Sequence, residues 1–182
     1  MFKHPFQIIT GDQASIHFLS YSNSLLAAVR TARRRVWILC YVLNANLSKQ
    51  SDPITLLMAV LRARQAAGCD IRFIIDSPLE SRPNYHCNKF FMRHLMEWNF
   101  KFCTPPKKIT SHAKAILIDD KILFIGSHNL TRSSLNNPLD CTVELRSEFL
   151  IQSFAETYSM IWDNSDMIQY TPDQLPPAQF YG

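Results

Sequence analysis

The sequence predicts an α/β fold in which helices cover both faces of a mixed β-sheet. Short apolar runs typical of buried strands, such as Val36 to Leu43 and Ile71 to Ile75, alternate with longer segments whose apolar residues recur at helical spacing. Strands that are apolar on both faces need helices on both sides of the sheet. With 182 residues, 47% of them apolar, the chain is long enough for one core and short for two. We therefore expect one domain, residues 1–165, followed by a tail, residues 166–182.

Strands and helices follow one another along the chain without an internal repeat. Apolar runs bounded by turn residues predict strands at Ser15 to Leu19, Val36 to Leu43, Ile71 to Ile75, Phe100 to Cys103, residues 113–118, Ile122 to Ile125 and Thr142 to Leu145. Apolar residues three and four positions apart predict helices at Leu25 to Ala32, Leu56 to Ala67, Phe90 to Trp98 and Leu150 to Trp162. Residues 77–86 contain two prolines and opposite charges, which indicates a loop.

Residues with capping side chains mark where two of these helices begin. Asp52 and Pro53 form a good start for the second helix, because the carboxylate can cap it and proline suits its first turn. Gly68 is expected to end that helix. Ser22 and Asn23 are candidate caps for the first helix.

A β-hairpin is predicted in the second half of the chain. Residues 113–118 form its first strand, Asp119 and Asp120 a tight turn, and Ile122 to Ile125 the return strand. The return strand ends at Gly126, where the missing Cβ allows backbone or a ligand to approach closely. The hairpin therefore brings the residues that precede its first strand beside those that follow its second.

Polar side chains cluster at the open end of this hairpin. Because side chains along a strand repeat their direction every two residues, His112 and Lys114 are expected on the same face. An unpaired ammonium among apolar residues is costly, which indicates that an anion, such as the substrate, lies against Lys114. The return strand carries Ser127 and Asn129 back beside them. A nucleophile or acid, a cation and two neutral hydrogen-bonding groups form a suitable cradle for a phosphoryl group.

The spacing of these residues is more specific than any one of them alone. The string combines H-x-K-x4-D with G-S-x-N, formed by His112, Lys114, Asp119, Gly126, Ser127 and Asn129. It resembles the signature of the phospholipase D superfamily, in particular its small nucleases with one motif per chain. The resemblance implies a phospholipase D-like α/β/α sandwich and a catalytic domain over residues 1–165.

Members of that superfamily place two H-x-K motifs face to face across a twofold or pseudo-twofold axis. A second copy is missing from this chain, because His86, His94 and His128 each lack a lysine two residues on. The resemblance therefore implies a homodimer in which two protomers share one site.

The resemblance also implies a mechanism that requires no metal and no cofactor. His112 of one protomer would attack phosphorus and form a phosphohistidine, while the same residue of the partner protonates the leaving oxygen and then activates water. Lys114 and Asn129 would hold the nonbridging oxygens, with Ser127 assisting. Asp119 would orient the motif and its turn.

One acidic position departs from the family pattern. The similar enzymes have a glutamate fourteen residues after the motif glycine, where it orients the histidine, and this chain has Asp140 there. Aspartate is one methylene shorter, so Glu144 on the following strand is the other candidate. We favour Asp140, because residues 140–147 then align without an insertion.

Basic residues around the motif favour a nucleic-acid substrate. Lys107 and Lys108 precede His112, Arg132 follows Asn129, and the net charge is +4. These three side chains are candidates for binding flanking phosphates. We therefore expect a metal-independent nuclease and favour DNA over RNA, with strandedness, sequence preference and endonuclease or exonuclease action left open.

Two alternatives come from other functional classes. A phospholipid-processing phospholipase D or phosphatidyl transferase would call for an exposed apolar rim or an amphipathic membrane helix, which the sequence does not reveal. A catalytically silent nucleic-acid-binding module would keep the fold without the chemistry, and the intact His112, Lys114 and Asn129 argue against it.

The remaining composition bears on location and on metals. No apolar run is long enough to span a bilayer, and residues 1–10 lack the long apolar core of a secretory signal. We therefore expect a cytoplasmic protein without stable membrane association. The five cysteines include no C-x-x-C pair, and His86, Cys87 and Cys103 lack the spacing of a zinc site. These cysteines are interpreted as reduced core residues, and no metal site is predicted.

Overall fold

The computed structural model describes residues 9–10 and 13–168. Its strands are β1 (Ile9–Thr10), β2 (Ala14–His17), β3 (Arg35–Cys40), β4 (Leu43–Asn44), β5 (Asp70–Ile75), β6 (Lys101–Cys103), β7 (Ala115–Ile118), β8 (Ile122–Gly126), β9 (Leu130–Thr131) and β10 (Thr142–Leu145). Its helices are α1 (Tyr21–Thr31), α2 (Pro53–Ala66), α3 (Tyr85–Glu97), α4 (Arg132–Leu135) and α5 (Glu148–Trp162).

Eight strands form one sheet in the order β1-β2-β10-β8-β7-β3-β5-β6. Within it β3, β5 and β6 run parallel to one another. The other neighbouring strands are antiparallel. The two-residue strands β4 and β9 pair separately, with Leu43 opposite Leu130. The mixed sheet predicted from the sequence is therefore confirmed.

Helices lie on both faces of this sheet because its strand residues alternate between two apolar cores. Val36 and Phe73 face the larger core, which also contains residues of α1, α2 and α3. Trp37 and Leu117 face the other core, which α5 closes with residues such as Tyr158. The result is the predicted α/β/α arrangement, with three long helices on one face and one on the other.

Helix α2 begins and ends for the reasons that its sequence indicates. The Asp52 carboxylate accepts hydrogen bonds from the backbone N–H groups of Ile54 and Thr55, at 2.9 and 3.1 Å. Pro53 is the first helical residue, where it has no intrahelical bond to lose. The chain then turns at Gly68, whose φ of +88° suits glycine.

Two other helices begin earlier than predicted. Helix α1 starts at Tyr21, so Ser22 and Asn23 lie inside it instead of capping it. Helix α3 starts at Tyr85 instead of Phe90. Its first turns carry the buried polar residue Asn88, whose side chain accepts from the backbone N–H of Leu43 at the start of β4 and donates to the Tyr41 carbonyl oxygen. Polar packing of this kind leaves no apolar periodicity, which explains why the sequence did not predict the first turns of α3.

Two predicted boundaries also differ. The predicted strand Val36 to Leu43 divides into β3 and β4, with residues 41–42 between them. At the other end, Ile168 exchanges backbone hydrogen bonds of 2.9 and 3.1 Å with Thr104. The chain therefore continues against the sheet beyond residue 165, and the rest of the predicted tail, residues 169–182, lies outside the described residues.

Aromatic residues and a salt bridge cluster at the amino-terminal end of the parallel strands. Trp37 stacks on Tyr158, which stacks on Trp162, with ring centroids 5.0 and 6.2 Å apart. The Arg72 guanidinium lies 4.9 and 5.1 Å from the centroids of the two indoles. Asp70, the first residue of β5, accepts hydrogen bonds from Trp37 Nε1 and Arg72 Nε. This cluster fastens α5 to the sheet at the end opposite the carboxyl termini of β3 and β5.

Candidate active site

His112 and Lys114 lie together just before β7, at the open end of the β7–β8 hairpin. Lys114 Nζ is 3.0 Å from His112 Nδ1 and donates a 2.6 Å hydrogen bond to the His112 carbonyl oxygen. The two side chains thus share one face. Lys114 is half-buried and precedes the strand, whereas the sequence predicted it inside a buried strand. Partial burial lowers the pKa of Lys114, and the negative charge of Asp140 opposes this in part.

A tyrosine that sequence analysis missed forms a wall of the site. Tyr41 follows β3, and its ring centroid is 4.4 Å from that of His112 and 5.1 Å from Lys114 Nζ. His112 is otherwise exposed, so its imidazole is accessible to a substrate. The nearby Cys40 thiol is no competing nucleophile, because burial raises its pKa to about 12.

Ser127 holds the loop opposite His112 together. Its hydroxyl donates to Asp140 Oδ1 at 2.8 Å and accepts from the backbone N–H of Cys141 at 3.0 Å. The second carboxylate oxygen, Asp140 Oδ2, accepts from Ser134 Oγ at 2.6 Å. The predicted helper Ser127 is therefore already engaged in organising the site.

The backbone of Asn129 is fixed by a hydrogen bond, whereas its side-chain oxygen is unbonded among the described residues. Its backbone N–H donates to Ser134 Oγ at 2.9 Å, while Leu130 donates to the carbonyl of Val42, next to Tyr41. The buried Oδ1 of Asn129 has no hydrogen-bond partner among the described residues. A buried polar atom of this kind indicates a place where a ligand or water completes the bonding.

The two acidic candidates have different surroundings, and neither forms a hydrogen bond with His112 among the described residues. Glu144 is buried and binds His17 Nε2 at 3.0 Å and Arg146 Nε at 2.9 Å. Glu144 lies within β10 opposite Phe124 of β8, and its two oxygens are engaged by His17 and Arg146. Asp140 lies just before β10 and accepts a hydrogen bond from Ser127; its predicted role in orienting His112 stays a prediction.

Asp140 is held in its charged form. Partial burial would raise its pKa, but hydrogen bonds from Ser134 and Ser127, together with the nearby His128, outweigh burial and lower the pKa below its usual range. The carboxylate therefore supplies a fixed negative charge that acts on Lys114.

Asp119 lies at the closed end of the hairpin, where it organises backbone. Its carboxylate accepts hydrogen bonds from the backbone N–H groups of Arg33, Arg34 and Arg35 at 2.7, 2.7 and 3.0 Å. Partial burial would raise the pKa of Asp119, but these three donors outweigh it and lower the pKa. These hydrogen bonds join the hairpin turn to the start of β3.

Gly126 allows two strands to approach at the site. A Cβ at this position would overlap the carbonyl oxygen of Cys141 and the Cα of Thr142 on β10. The next core residue, His128, is buried and hydrogen-bonds to Thr142 Oγ1 at 2.8 Å. The G-S-x-N segment is therefore packed directly on β10, which fixes where Ser127 and Asn129 stand.

The three basic residues predicted to bind substrate are all exposed. Lys107 and Lys108 lie on the exposed loop that leads to His112, and Arg132 is exposed at the start of α4. Within residues 9–10 and 13–168, no three His, Cys, Asp or Glu side chains are arranged to hold a metal ion. Over the same part of the chain, no helix has the length and apolarity needed to cross a membrane.

Sequence analysis also missed a buried acidic residue behind the site. Asp76 follows β5 and binds Arg82, Asn84 and the backbone N–H of Ser111, the residue before His112. The sequence did contain a signal for it, since a carboxylate directly follows an apolar strand. Functional residues often lie at the carboxyl ends of parallel strands.

Comparisons with known proteins agree with this geometry. The family model described as "Cardiolipin synthase, PLD-like domain" matches residues 25–162. Cardiolipin synthase A from Pseudomonas entomophila (strain L48) is 29% identical over 119 residues, which are 65% of this chain and 23% of that protein. The chain thus spans less than a quarter of the length of this curated relative.

Two solved structures share the fold over almost their whole length. NucT from Helicobacter pylori has 19% identity and a TM-score of 0.67, with 87% of this chain and 99% of that chain covered. Nuc from Salmonella typhimurium, described as a phospholipase D family member, has 17% identity and a TM-score of 0.66, with 86% and 97% covered. Since the family model covers most of the chain, and includes both parts of the H-x-K and G-S-x-N signature, this protein belongs to the phospholipase D superfamily.

Proposed function

We propose that this protein is a metal-independent phosphodiesterase that hydrolyses nucleic acid through a phosphohistidine, at a site shared by two protomers. The observation that carries the proposal is the exposed His112 imidazole held beside the ammonium of Lys114, with Ser127 and Asn129 on the adjoining segment. An accessible nucleophile next to a fixed cation suits attack on a phosphodiester.

The proposed reaction needs two histidines. A nitrogen of His112 attacks phosphorus, so that a P–N bond forms as the bond to the leaving oxygen breaks. His112 of the partner subunit gives its proton to that oxygen and then removes a proton from water. The water oxygen attacks phosphorus, the P–N bond breaks, and His112 is regenerated. The single H-x-K motif of this sequence is what supports a second protomer as the source of the other histidine.

The other site residues receive roles that fit their contacts. Lys114 and Asn129 hold the nonbridging phosphoryl oxygens and stabilise their charge in the transition state. Asp140 fixes Ser127, and its negative charge favours the protonated form of Lys114. Glu144 belongs to the fold through its bonds with His17 and Arg146.

Nucleic acid, with DNA favoured over RNA, is the proposed substrate because three exposed basic residues lie close in sequence to His112 and Asn129. Lys107, Lys108 and Arg132 can contact flanking phosphates, and binding should then weaken as salt concentration rises. The family resemblance to small single-motif nucleases points the same way.

The cysteines of the described residues are all free, which fits the reducing cytoplasm.

Phospholipid transfer is a second candidate, and one observation favours it. Ile109 and Leu139 are 55% and 74% exposed, close in sequence to His112 and Asp140 respectively. Exposed apolar residues at the mouth of a site can contact acyl chains. The matched relative whose name is cardiolipin synthase A gives this candidate its substrate class.

The test compares substrates under chelation. Purified protein is incubated in EDTA with plasmid, single-stranded DNA, RNA and phosphatidylcholine vesicles, and the His112→Asn variant is the matched control. We expect nucleic-acid cleavage that is lost in the variant. Activity that disappears on chelation and returns with added metal would contradict the mechanism, and transfer on lipid alone would favour the second candidate.

Mixed dimers test the shared site. A dimer of one native and one His112→Ala chain keeps one nucleophile but has no histidine opposite to protonate a leaving alkoxide. It should lose nearly all cleavage of nucleic acid, yet give a first-turnover burst on a nitrophenyl diester, whose leaving group needs no proton. Half of native activity on nucleic acid would mean two independent sites.

A further inference from the structure

Asp76 is a completely buried carboxylate at the carboxyl end of β5. Arg82 Nη1 lies 2.8 Å from both of its oxygens, and Asn84 Nδ2 donates to Oδ2 at 2.8 Å. The backbone N–H of Ser111 donates to Oδ1 at 2.7 Å. We refer to Asp76, Arg82 and Asn84 as the Asp76 cluster.

The Asp76 cluster reaches the segment that carries the nucleophile. Ser111 immediately precedes His112, so its bond to Asp76 fixes the backbone at the point where the imidazole branches off. Arg82 Nη2 donates to the carbonyl oxygens of Lys107 and Ile109, at 3.2 and 3.3 Å. The cluster therefore holds the whole loop between β6 and β7 at three backbone groups.

The same cluster also reaches the opposite wall of the site. Asn84 Nδ2 donates to the Tyr41 carbonyl oxygen at 3.1 Å as well as to Asp76. Asn88 Nδ2 joins the same two residues through their backbone carbonyls, at 2.8 Å to Tyr41 and 3.0 Å to Asp76. Because the ring of Tyr41 stands against that of His112, both partners in this ring contact are anchored to one carboxylate.

We infer that Asp76 is a positioning residue, which fixes the His112 imidazole against Tyr41 and Lys114 by holding the two segments that carry them. This inference rests on the proposed chemistry at His112. A nucleophile displaced by about 1 Å can lose about a hundredfold in rate, so a rigid support behind it has a large effect. A buried ion pair by itself contributes little net stability, so the contacts of Asp76 with the two segments are better evidence for its role than the ion pair itself.

The first experiment compares two carboxylates of the same strand. Asp76→Asn removes the charge at the carboxyl end of β5, and Asp70→Asn removes a charge that is also bound to arginine at its amino end. On a nitrophenyl diester we expect kcat to fall about 100-fold in Asp76→Asn with KM nearly unchanged. We expect no change of kcat in Asp70→Asn beyond experimental error.

A gentler variant covers the possibility that Asp76→Asn does not fold. Arg82→Lys keeps a cation beside Asp76 but is too short and too simple to hold the carbonyls of Lys107 and Ile109 as well. We expect it to melt close to the native temperature and to lose kcat about tenfold, again at similar KM. If both variants fold, native kcat in both would overturn the inference. If Asp76→Asn does not fold, native kcat in folded Arg82→Lys would overturn it alone.

A second readout does not depend on catalysis. The proton NMR resonance of the His112 ring should carry a ring-current shift from Tyr41, and Tyr41→Leu gives its value without that shift. We expect the resonance in Asp76→Asn and Arg82→Lys to move towards the Tyr41→Leu value and to stay in place in Asp70→Asn. If the native protein cleaves no diester but the resonance moves, the proposed function fails and the positioning role stands. An unmoved resonance in the folded variants refutes the positioning role.

Discussion

The two ends of the β7–β8 hairpin carry residues of one sequence motif but differ in how their polar groups are satisfied. At the closed end, Asp119 accepts three backbone hydrogen bonds. Its neighbour Asp120 forms ion pairs with Arg34 and Arg35, and the buried Nε of Arg35 is left without a hydrogen-bond partner among the described residues. The contrast therefore concerns the carboxylate of Asp119 and not every polar group at that end. At the open end, His112 is exposed and the buried Oδ1 of Asn129 has no partner among the described residues.

This difference separates residues that maintain the fold from residues that are free to bind a ligand. Polar groups whose bonds are complete within the protein contribute to stability, whereas incomplete ones are available for chemistry. Sequence spacing alone treats Asp119 and Lys114 as members of the same motif. Their contacts predict opposite consequences of mutation, and the following predictions test that contrast in order of decreasing effect.

The largest effect is expected for Lys114→Met at the open end. Methionine keeps most of the side-chain length and removes the charge, so the protein should fold. Turnover should fall about 1000-fold or more, because a positioned cation stabilises charge in the transition state. Steady-state kinetics on a phosphodiester, with circular dichroism as a control for folding, measure both quantities. Near-native turnover would show that the lysine has only a structural role.

The next effect distinguishes Asp140 from Glu144. Asp140→Asn should lower turnover about 100-fold, because it disturbs the placement of Ser127 and removes the charge that acts on Lys114. Glu144→Gln should leave turnover nearly unchanged and lower the free energy of unfolding by about 1–3 kcal/mol, since a buried charged bond to His17 is weakened. Kinetics and urea unfolding of both variants give the ranking, and the reverse order would assign the catalytic carboxylate to Glu144.

A smaller effect, on stability only, is expected for Asp119→Asn at the closed end. Asparagine tolerates the positive φ of 51° at this position, so the variant isolates the loss of charge. The free energy of unfolding should fall by about 1–2 kcal/mol with turnover unchanged. Asp120→Asn, which weakens the ion pairs with Arg34 and Arg35 at a neighbouring position of positive φ, is the matched control and should cost less than about 1 kcal/mol. A large loss of turnover in Asp119→Asn would erase the contrast between the two ends.

The smallest effect concerns how pH changes the difference in unfolding free energy between native protein and Asp119→Asn. The folded pKa of Asp119 is lowered, so its contribution is complete above the ordinary aspartate pKa of 3.8 and is lost as the pH falls through the lowered value. Urea unfolding of native protein and Asp119→Asn should therefore give a constant difference at neutral pH and a shrinking one in acid. A difference that grows on acidification would show that hydrogen bonding does not control this pKa.

Local patterns predicted those parts of the molecule that depend on neighbouring residues. His112 and Lys114 are neighbours as expected, although both precede β7 and their contact does not come from strand alternation. Capping chemistry correctly began α2 after Asp52. The turn at Asp119 and Asp120 followed from the same kind of information. The family spacing indicated Asp140 as the residue that orients His112, which stays a prediction; its hydrogen bonds with Ser134 and Ser127 depend on the fold and could not be predicted from spacing.

Contacts between distant segments were not predictable in the same way. Tyr41, Asp76 and Ser111 belong to three segments, and only the parallel pairing of β3 and β5 brings the first two together. Asn84 and Asn88 bind these segments from a helix whose beginning was missed, since its first turns pack through amides and not through apolar side chains. A single sequence contains no periodic signal for such polar packing.

The placement of the tryptophans determines what intrinsic fluorescence can report about this protein. Trp37 and Trp162 flank Arg72 at the amino-terminal end of the parallel strands, and Trp98 lies beside Phe100 before β6. Tyr41 is the aromatic side chain in contact with His112. Tryptophan emission should therefore follow the undocking of α5 and the melting of the sheet, while remaining insensitive to a ligand bound at His112. In a Tyr41→Trp variant, the new indole would lie beside His112, so its fluorescence should differ between the occupied and the empty site.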